Sequence, residues 1–204
     1  MKQKIYKRSP YSQKLGKIYF WTASIHKWKN LLYFPEQKEM IINSLQFLSD
    51  KNLVTIYAYV IMPNHIYIIW KQNKLNGKEM PRSSFMKHTA RELLKKVCDK
   101  GKIHQHKVRA ANKTHQIWKP NSFAIELYSK RFIKQKLDYM HKNPVRGKRV
   151  LYKYDTENPY SSAQFYQNGE SRVNFLNNIF DVIGGPKRNE ENYDALLYKK
   201  DGFK

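Results

Sequence analysis

Two β-rich runs between residues 53 and 72 constrain the fold most strongly. LVTIYAYVIM (53–62) and HIYIIWKQ (65–72) consist mainly of β-branched, aromatic and aliphatic residues, a composition typical of strands. Only Pro63-Asn64, which is a turn signal, separates them. Because a connection this short joins antiparallel neighbours, the sequence predicts a β-hairpin and hence an antiparallel sheet.

The remaining periodic segments indicate which elements join this hairpin. Two further strands are predicted from β-branched and aromatic composition, at 17–28 and 123–127. Apolar residues recur at helical spacing in three segments, 35–52, 83–101 and 130–143, the last with Ser129 as N-cap and Pro144 as its stop. The order strand, helix, strand, strand, helix, strand, helix predicts an α+β fold. We expect an antiparallel sheet with helices packed on one face, similar to the ferredoxin-like arrangement.

The chain of 204 residues suits one domain with appendages. Residues 1–16 are basic and polar and are predicted to form an N-terminal arm. The domain is expected to span 17–185, with a short helix at 161–167, and residues 186–204 are interpreted as a C-terminal tail.

The segment 102–116 combines basic residues with no apolar period and is predicted to be a mobile loop. It contains three histidines, His104, His106 and His115. They are candidates for a metal site, and the alternative is an ordinary solvated polar loop.

Charge points to the class of partner. Lys and Arg number 39 against 16 Asp and Glu, a formal net charge of +23. Such an excess favours a polyanionic partner, first of all nucleic acid, whose unpaired bases can stack on the many Tyr, Phe and Trp rings. The alternatives are an anionic membrane surface and a solvated basic surface. A single cysteine, Cys98, excludes an internal disulfide and a thiolate zinc site, and no membrane-length apolar run occurs, so we expect a cytoplasmic protein.

A row of cations follows the helix predicted at 83–101. Lys87, Arg91 and Lys95 stand one turn apart, on a different side from its apolar residues, so they suit a phosphate backbone. An ordinary solvated helix face explains the same pattern.

Two pairs of residues are the candidates for chemistry. Alternation along the strand places His65 and Tyr67 on one face, and helical spacing places Tyr139 and Asn143 on one side of the helix at 130–143. An imidazole nitrogen and an amide oxygen that faced each other would suit Mg²⁺ or Mn²⁺. Taken singly, His65, Tyr139 and Asn143 also have structural explanations: a hydrogen-bonded histidine, a tyrosine at the core edge, and a helix stop before proline.

AYVIMPNHIYIIW resembles the HUH segment of the single-tyrosine transposases, and IELYS followed by QKLDYMHKNPVRG resembles their tyrosine helix. The closer similarity is to the REP-associated tyrosine transposases, in which a Tyr-Ile-His-x-Asn-Pro-Val run is typical. PYSSAQFY (159–166) is similar to a further block of those proteins, so the resemblance runs from about residue 17 to residue 166.

The resemblance implies the HUH transposase fold and a bacterial, nucleoid-associated protein that binds single-stranded DNA folded into hairpins. It implies that Tyr139 attacks a backbone phosphate, giving a 5′-phosphotyrosine link, and that His65 and Asn143 bind Mg²⁺ or Mn²⁺. The metal would assist a phenol that is a poor nucleophile at neutral pH. We expect six cations to contact DNA: Lys87, Arg91, Lys95, Lys130, Arg131 and Arg146. Relatives of this type occur as monomers and as homodimers.

This sequence departs from the family at one position. The family carries two metal-binding histidines separated by one hydrophobic residue, and here the strand reads His65-Ile66-Tyr67. Ionising a phenol at pH 7 costs about 4 kcal/mol, so Tyr67 is a weak ligand. Three outcomes are open: weaker binding through His65, Asn143 and water; recruitment of another residue such as Glu126 or His26; or loss of catalysis.

The sequence therefore supports two main functions and one further alternative. The first is a strand transferase that cleaves and rejoins DNA beside a hairpin. The second is a catalytically impaired protein that only grips DNA hairpins. The third is binding of unpaired RNA through the same aromatic and cationic surface.

Overall fold

The computed structural model describes residues 13–99, 107–110, 113–120, 122–146 and 150–183. The strands are β1 (Ile18–Ser24), β2 (Val54–Ile61), β3 (His65–Gln72), β4 (Lys107–Ala110), β5 (Lys113–His115) and β6 (Phe123–Glu126). The helices are α1 (Pro35–Asp50), α2 (Pro81–Asp99), α3 (Lys130–Lys142) and α4 (Ala163–Asn168). No helix in these ranges combines the length and the apolar character needed to cross a bilayer. Most of the predicted arm and nearly all of the predicted tail lie outside the described residues.

The main sheet is antiparallel and has the strand order β2-β3-β1-β6. The predicted hairpin is confirmed, with β2 and β3 paired directly across the Pro63-Asn64 turn. A bulge in β2 between Ile56 and Ala58 shifts the register of that pair. Counted along the chain, the four strands and the helices α1 and α2 form a βαββαβ unit, so the predicted α+β, ferredoxin-like architecture is confirmed.

Each face of the sheet has its own core. On one face, α1 and α2 pack over residues that include the stacked pair Trp21 and Trp70, whose ring centroids lie 4.9 Å apart. The opposite face is covered by α3, which buries Ile133, Leu137 and Met140. The expectation of helices on one face therefore holds for α1 and α2 but not for α3. A second helix layer is possible because the central strands are apolar on both faces, so they have no side to leave in water.

The segment predicted as a mobile loop contains regular structure. β4 and β5 pair as a small antiparallel ladder, so the loop prediction was wrong for residues 107–110 and 113–115. Backbone hydrogen bonding stabilises this ladder, and an apolar period, which was the signal sought in the sequence, is not required for it. His104 and His106 lie outside the described residues.

Two element boundaries also differ from the prediction. β1 ends at Ser24, four residues earlier than expected, and the chain turns into a 3-10 helix, His26–Trp28. α2 begins at Pro81, since proline is well suited to the first turn of a helix. The predicted α3 is confirmed: the Ser129 side chain accepts a hydrogen bond from the Phe132 backbone N–H at 3.3 Å.

Candidate functional site

His65 lies at the first position of β3, where it pairs with Ser24 of β1. Its Nδ1 lies 2.7 Å from Asn64 Oδ1, which favours a proton on Nδ1 and leaves Nε2 as an acceptor. That Nε2 is buried and has no hydrogen-bond partner in the described part of the chain. Burial lowers the pKa of His65 to about 4, although the Asn143 side chain opposes this shift. At neutral pH the ring is therefore uncharged, with one buried lone pair available.

Tyr67 lies two residues further along β3 and on the same face. Its ring is 4.8 Å from that of His65, centroid to centroid, and it is almost fully buried. Burial, reinforced by the interaction with Tyr139, raises the pKa of the Tyr67 phenol well above its ordinary value. Tyr67 therefore remains protonated, and its hydroxyl lies 3.4 Å from the hydroxyl of Tyr139.

Tyr139 stands at the border between the core and solvent. The apolar side of α3 fixes its helix against the sheet, and its ring meets the edges of Phe20 and Tyr67 at centroid distances of 6.1 and 5.6 Å. The side chain is nevertheless 50% exposed. A ring supported by the core on a side chain that stays half exposed is compatible with a nucleophile for a large substrate.

Asn143 caps the C-terminal end of α3, and its backbone N–H bonds to the Met140 carbonyl. Its side chain interacts with His65. The structure thus brings together four of the predicted residues, His65, Tyr67, Tyr139 and Asn143, where the start of β3 meets the end of α3.

His141 anchors the end of α3 and was not singled out from the sequence. Its buried Nε2 lies 2.9 Å from Ser162 Oγ, and the Ser162 hydroxyl in turn contacts the backbone of Tyr59 in β2. His141 therefore ties the helix that carries Tyr139 to the sheet that carries His65. Its sequence signal was the histidine of the Tyr-Ile-His-x-Asn-Pro-Val run, which falls two residues after Tyr139.

Lys136 was also missed, although it stands one helical turn before Tyr139. Its Nζ lies 5.8 Å from the centroid of the Tyr139 ring and 5.3 Å from that of Phe132. An ammonium held over these rings brings positive charge to the side of the candidate nucleophile. The i, i+3 spacing on a helix could have revealed it.

The predicted row on α2 lies away from this cluster. α2 packs on the sheet face opposite to α3, so Lys87, Arg91 and Lys95 are separated by the sheet from Tyr139. Lys87 also pairs with Glu79, and Lys95 pairs with Glu92.

The other three cations predicted to contact DNA belong to the α3 side of the sheet. Lys130 and Arg131 lie in the first turn of α3, and Arg146 follows the 3-10 helix Asn143–Val145. All three side chains are exposed to solvent.

Of the two proposed substitutes, Glu126 lies far from His65, whereas recruitment of His26 stays a prediction. Glu126 pairs with Tyr19, five residues from Ser24 along β1, or about 17 Å at the rise of an extended strand. Its side chain shares the face of Tyr19 and contacts Lys17 at 3.9 Å. His26 is half-buried in the turn after β1. Within the described part of the chain, no three His, Cys, Asp or Glu side chains cluster in a way that could hold a metal ion.

The comparisons with known proteins give one informative result. No family model and no curated protein matches the chain. Among solved structures, a REP-associated tyrosine transposase bound to a REP hairpin has a similar fold, with a TM-score of 0.54 and 18% identity over 87% of this chain and 97% of that one. At this identity the likeness establishes a related fold, the one to which the HIYIIW and DYMHKNPV motifs had pointed.

Proposed function

We propose that this protein binds hairpin or single-stranded DNA and transfers strands through a covalent link to Tyr139. One observation carries the proposal: the hydroxyl of the half-exposed Tyr139 meets the His65–Tyr67 face, 3.4 Å from the Tyr67 hydroxyl, although the two tyrosines are 72 positions apart in the chain. The similar fold of a transposase that binds a REP hairpin supports the choice of DNA.

The proposed step is a transesterification. The Tyr139 oxygen attacks a backbone phosphorus, a new P–O bond to tyrosine forms, and the P–O3′ bond breaks. The phenol proton leaves to solvent, and the departing 3′ oxygen takes up a proton. The product is a 5′-phosphotyrosine link with a free 3′-hydroxyl, and attack by a 3′-hydroxyl on that link rejoins strands.

His65 and Asn143 would hold a divalent ion, Mg²⁺ or Mn²⁺, in this site. The buried Nε2 of His65 fits this role, because among the described residues no donor meets its lone pair in hydrogen-bond geometry and the Asn143 side chain lies beside the ring. When bound, such an ion polarises a phosphoryl oxygen. With Tyr67 protonated, water and DNA oxygens would have to complete the coordination, so we expect weak binding.

Positive charge around α3 would hold the DNA backbone. Lys136 lies beside Tyr139, and Lys130, Arg131 and Arg146 extend the positive surface along and beyond the helix. The row of cations on α2 would contact only DNA that extends around the edge of the sheet.

A covalent adduct is the decisive readout for this function. Purified protein with Mn²⁺ and labelled hairpin DNA that carries single-stranded flanks is expected to give a protein–DNA band on a denaturing gel. Tyr139→Phe should abolish the band, because it removes the attacking oxygen and leaves the ring packing intact. Tyr33→Phe is the control, since Tyr33 is similarly exposed and its ring packs on that of Phe34. Failure to form an adduct with any tested hairpin and metal would contradict the strand-transfer proposal.

A second candidate function is hairpin binding without cleavage. The protonated Tyr67 favours it, because the site then has only one imidazole and one amide for a metal. In that case hairpins bind, no adduct forms, and Tyr139→Phe leaves the affinity unchanged. Gel-shift and adduct assays on the same samples separate the two functions.

A further inference from the structure

Trp28 is exposed although the other three tryptophans are buried. Its side chain is 56% exposed, whereas Trp21, Trp70 and Trp118 are at most 6% exposed. Burying an indole is one of the largest apolar gains that a chain of this size can make. A tryptophan that stays in solvent at a fixed position is therefore a candidate ligand-binding residue.

The backbone around Trp28 is held in a costly conformation. Lys27 and Trp28 both have φ of +55°, in the left-handed region that side chains other than glycine rarely adopt. Hydrogen bonds on both sides fix this turn: the Trp28 N–H bonds to the Ile25 carbonyl at 3.0 Å, and the His26 N–H bonds to the Ile117 carbonyl at 2.7 Å. Two consecutive residues in such a conformation are characteristic of binding sites.

This turn delivers the indole to the candidate site. The rings of Trp28 and His65 lie 5.9 Å apart in an edge-to-face arrangement. β1 ends with Ser24 opposite His65, and the Ile25 N–H bonds to the Asn64 carbonyl at 2.8 Å, so the turn is fastened to the strand that carries His65. Trp28 thus extends the His65–Tyr67 row of rings towards solvent.

Lys119 stands over the indole, and Lys27 and Lys29 flank Trp28 in the chain. Lys119 Nζ lies 6.0 Å from the centroid of the indole, and the Lys119 backbone N–H bonds to the Ser24 carbonyl at 2.7 Å. Burial and repulsion by Lys27 lower the pKa of Lys29. Like charges gathered around an open aromatic face are relieved by an anion, which a nucleotide supplies together with a base.

We propose that Trp28 is the stacking platform for one unpaired nucleobase, next to the phosphate that His65 and Tyr139 face, with Lys119 and Lys27 contacting the phosphate of that nucleotide. The inference rests on the proposed DNA binding and adds a subsite to it. Trp28 is a positioning residue here, because it orients the strand and touches no reacting atom.

Fluorescence and affinity test the subsite together. The probe is hairpin DNA with single-stranded flanks, tested intact and with single abasic positions scanned along each flank. In the wild type, DNA should quench the tryptophan fluorescence and protect Trp28 from quenching by acrylamide. Both effects should vanish in Trp28→Phe, because the remaining tryptophans are buried. Trp28→Ala should weaken binding by about 5- to 150-fold, whereas Trp28→Phe keeps a ring and should bind nearly as well as the wild type.

The abasic scan locates the stacked base. One abasic position in the DNA should lower its affinity for the wild type. The same abasic position should not lower the affinity for Trp28→Ala any further. Phe47→Ala is the matched control, since Phe47 is 54% exposed but lies on α1, which packs on the opposite face of the sheet. Circular dichroism and thermal unfolding of each variant confirm folding.

The outcomes separate this inference from the function on which it rests. If hairpins bind or form adducts while Trp28 fluorescence and the Trp28→Ala affinity stay unchanged, the stacking subsite is refuted and the DNA function stands. If Trp28→Ala lowers the affinity for every abasic probe by the same factor, stacking of one specific base on Trp28 is refuted. If no hairpin binds, both proposals fall.

Discussion

The side chain at position 67 determines whether the site offers a hydroxyl group or a second metal ligand beside Tyr139. The buried Tyr67 phenol is protonated and faces the Tyr139 hydroxyl at 3.4 Å. It can therefore orient Tyr139 by a hydrogen bond, but it is a poor ligand for a hard cation. A neutral imidazole at the same position would have the opposite properties.

Tyr67→His is expected to convert the site into a better metal site. A second imidazole beside His65 should tighten Mn²⁺ binding and raise the adduct yield, each by about tenfold or more. Manganese titration followed by EPR measures the first effect, and the denaturing-gel assay measures the second. Tyr67→Phe serves as control, because it removes the hydroxyl without adding a ligand. Equal Mn²⁺ affinity in the wild type and Tyr67→His would show that position 67 does not limit the site.

His141 makes the stability of the fold depend on pH. Burial lowers the pKa of His141 to about 4, although Asp155 and Asp138 oppose the shift, so the folded state prefers the neutral ring. In the unfolded chain this histidine takes up a proton near pH 6.5. The contribution of His141 to the free energy of unfolding is therefore fully present above that pH and is lost as the pH falls towards 4. The shift corresponds to a loss of up to about 3 kcal/mol.

The matching experiment compares urea unfolding of the wild type and His141→Gln at neutral pH and near pH 4.5. Glutamine can still bond to Ser162 but cannot take up the proton. The variant should therefore lose less free energy of unfolding on acidification than the wild type. Parallel losses in the two proteins would assign the acid sensitivity to other groups.

At the scale of elements, α3 joins the two halves of the site. It begins at the Ser129 cap, packs its apolar side on the sheet, and ends with His141 bonded to Ser162 and Asn143 beside His65. The helix therefore sets the distance between Tyr139 and β3. Changes that fray α3 should affect chemistry as well as stability.

Ser129→Ala tests this coupling at the N-terminal end of α3. Loss of the bond from the Phe132 N–H should lower the free energy of unfolding by about 1 kcal/mol, and Ser129→Asp should restore it because aspartate is also a good N-cap. Urea denaturation followed by circular dichroism gives the values. An unchanged midpoint in Ser129→Ala would mean that packing alone holds the start of the helix.

At the scale of the whole molecule, charge governs affinity. The net charge of +23 is what remains when the 16 Asp and Glu are set against the 39 Lys and Arg. Ion pairs within the chain leave this excess unchanged, and a polyanion such as DNA would neutralise it. Release of counterions on binding should make affinity depend steeply on salt.

Hairpin DNA affinity should fall by about 10³-fold or more between 50 and 200 mM salt, the loss typical of proteins that neutralise six or more phosphates. Fluorescence anisotropy over a salt series measures it. A matched RNA hairpin in the same series should bind more weakly over the whole range. Preference for RNA would favour the third function considered from the sequence, and a flat salt dependence would contradict a phosphate-dominated interface.

The sequence by itself determined the secondary structure and the fold class. β-branched and aromatic runs and helical apolar periods are local features, so β2, β3, α1 and α3 could be predicted almost to the residue. Where stability came from backbone pairing without an apolar period, as in β4 and β5, the local signal failed. The local motifs around His65 and Tyr139 also carried the likeness to transposases, because they are short and continuous in the chain.

Only the tertiary structure decided what surrounds those motifs. The second helix layer over the sheet, the tie from His141 to Ser162, the turn that sets Trp28 against His65, and the separation of the α2 cations from Tyr139 all depend on contacts between distant segments. Periodicity gives the face of an element on which a residue lies, but not the neighbour that covers the face. The neighbour that covers each face is determined by how the helices pack on the two apolar surfaces of the sheet. This packing depends on residues that are distant in the chain.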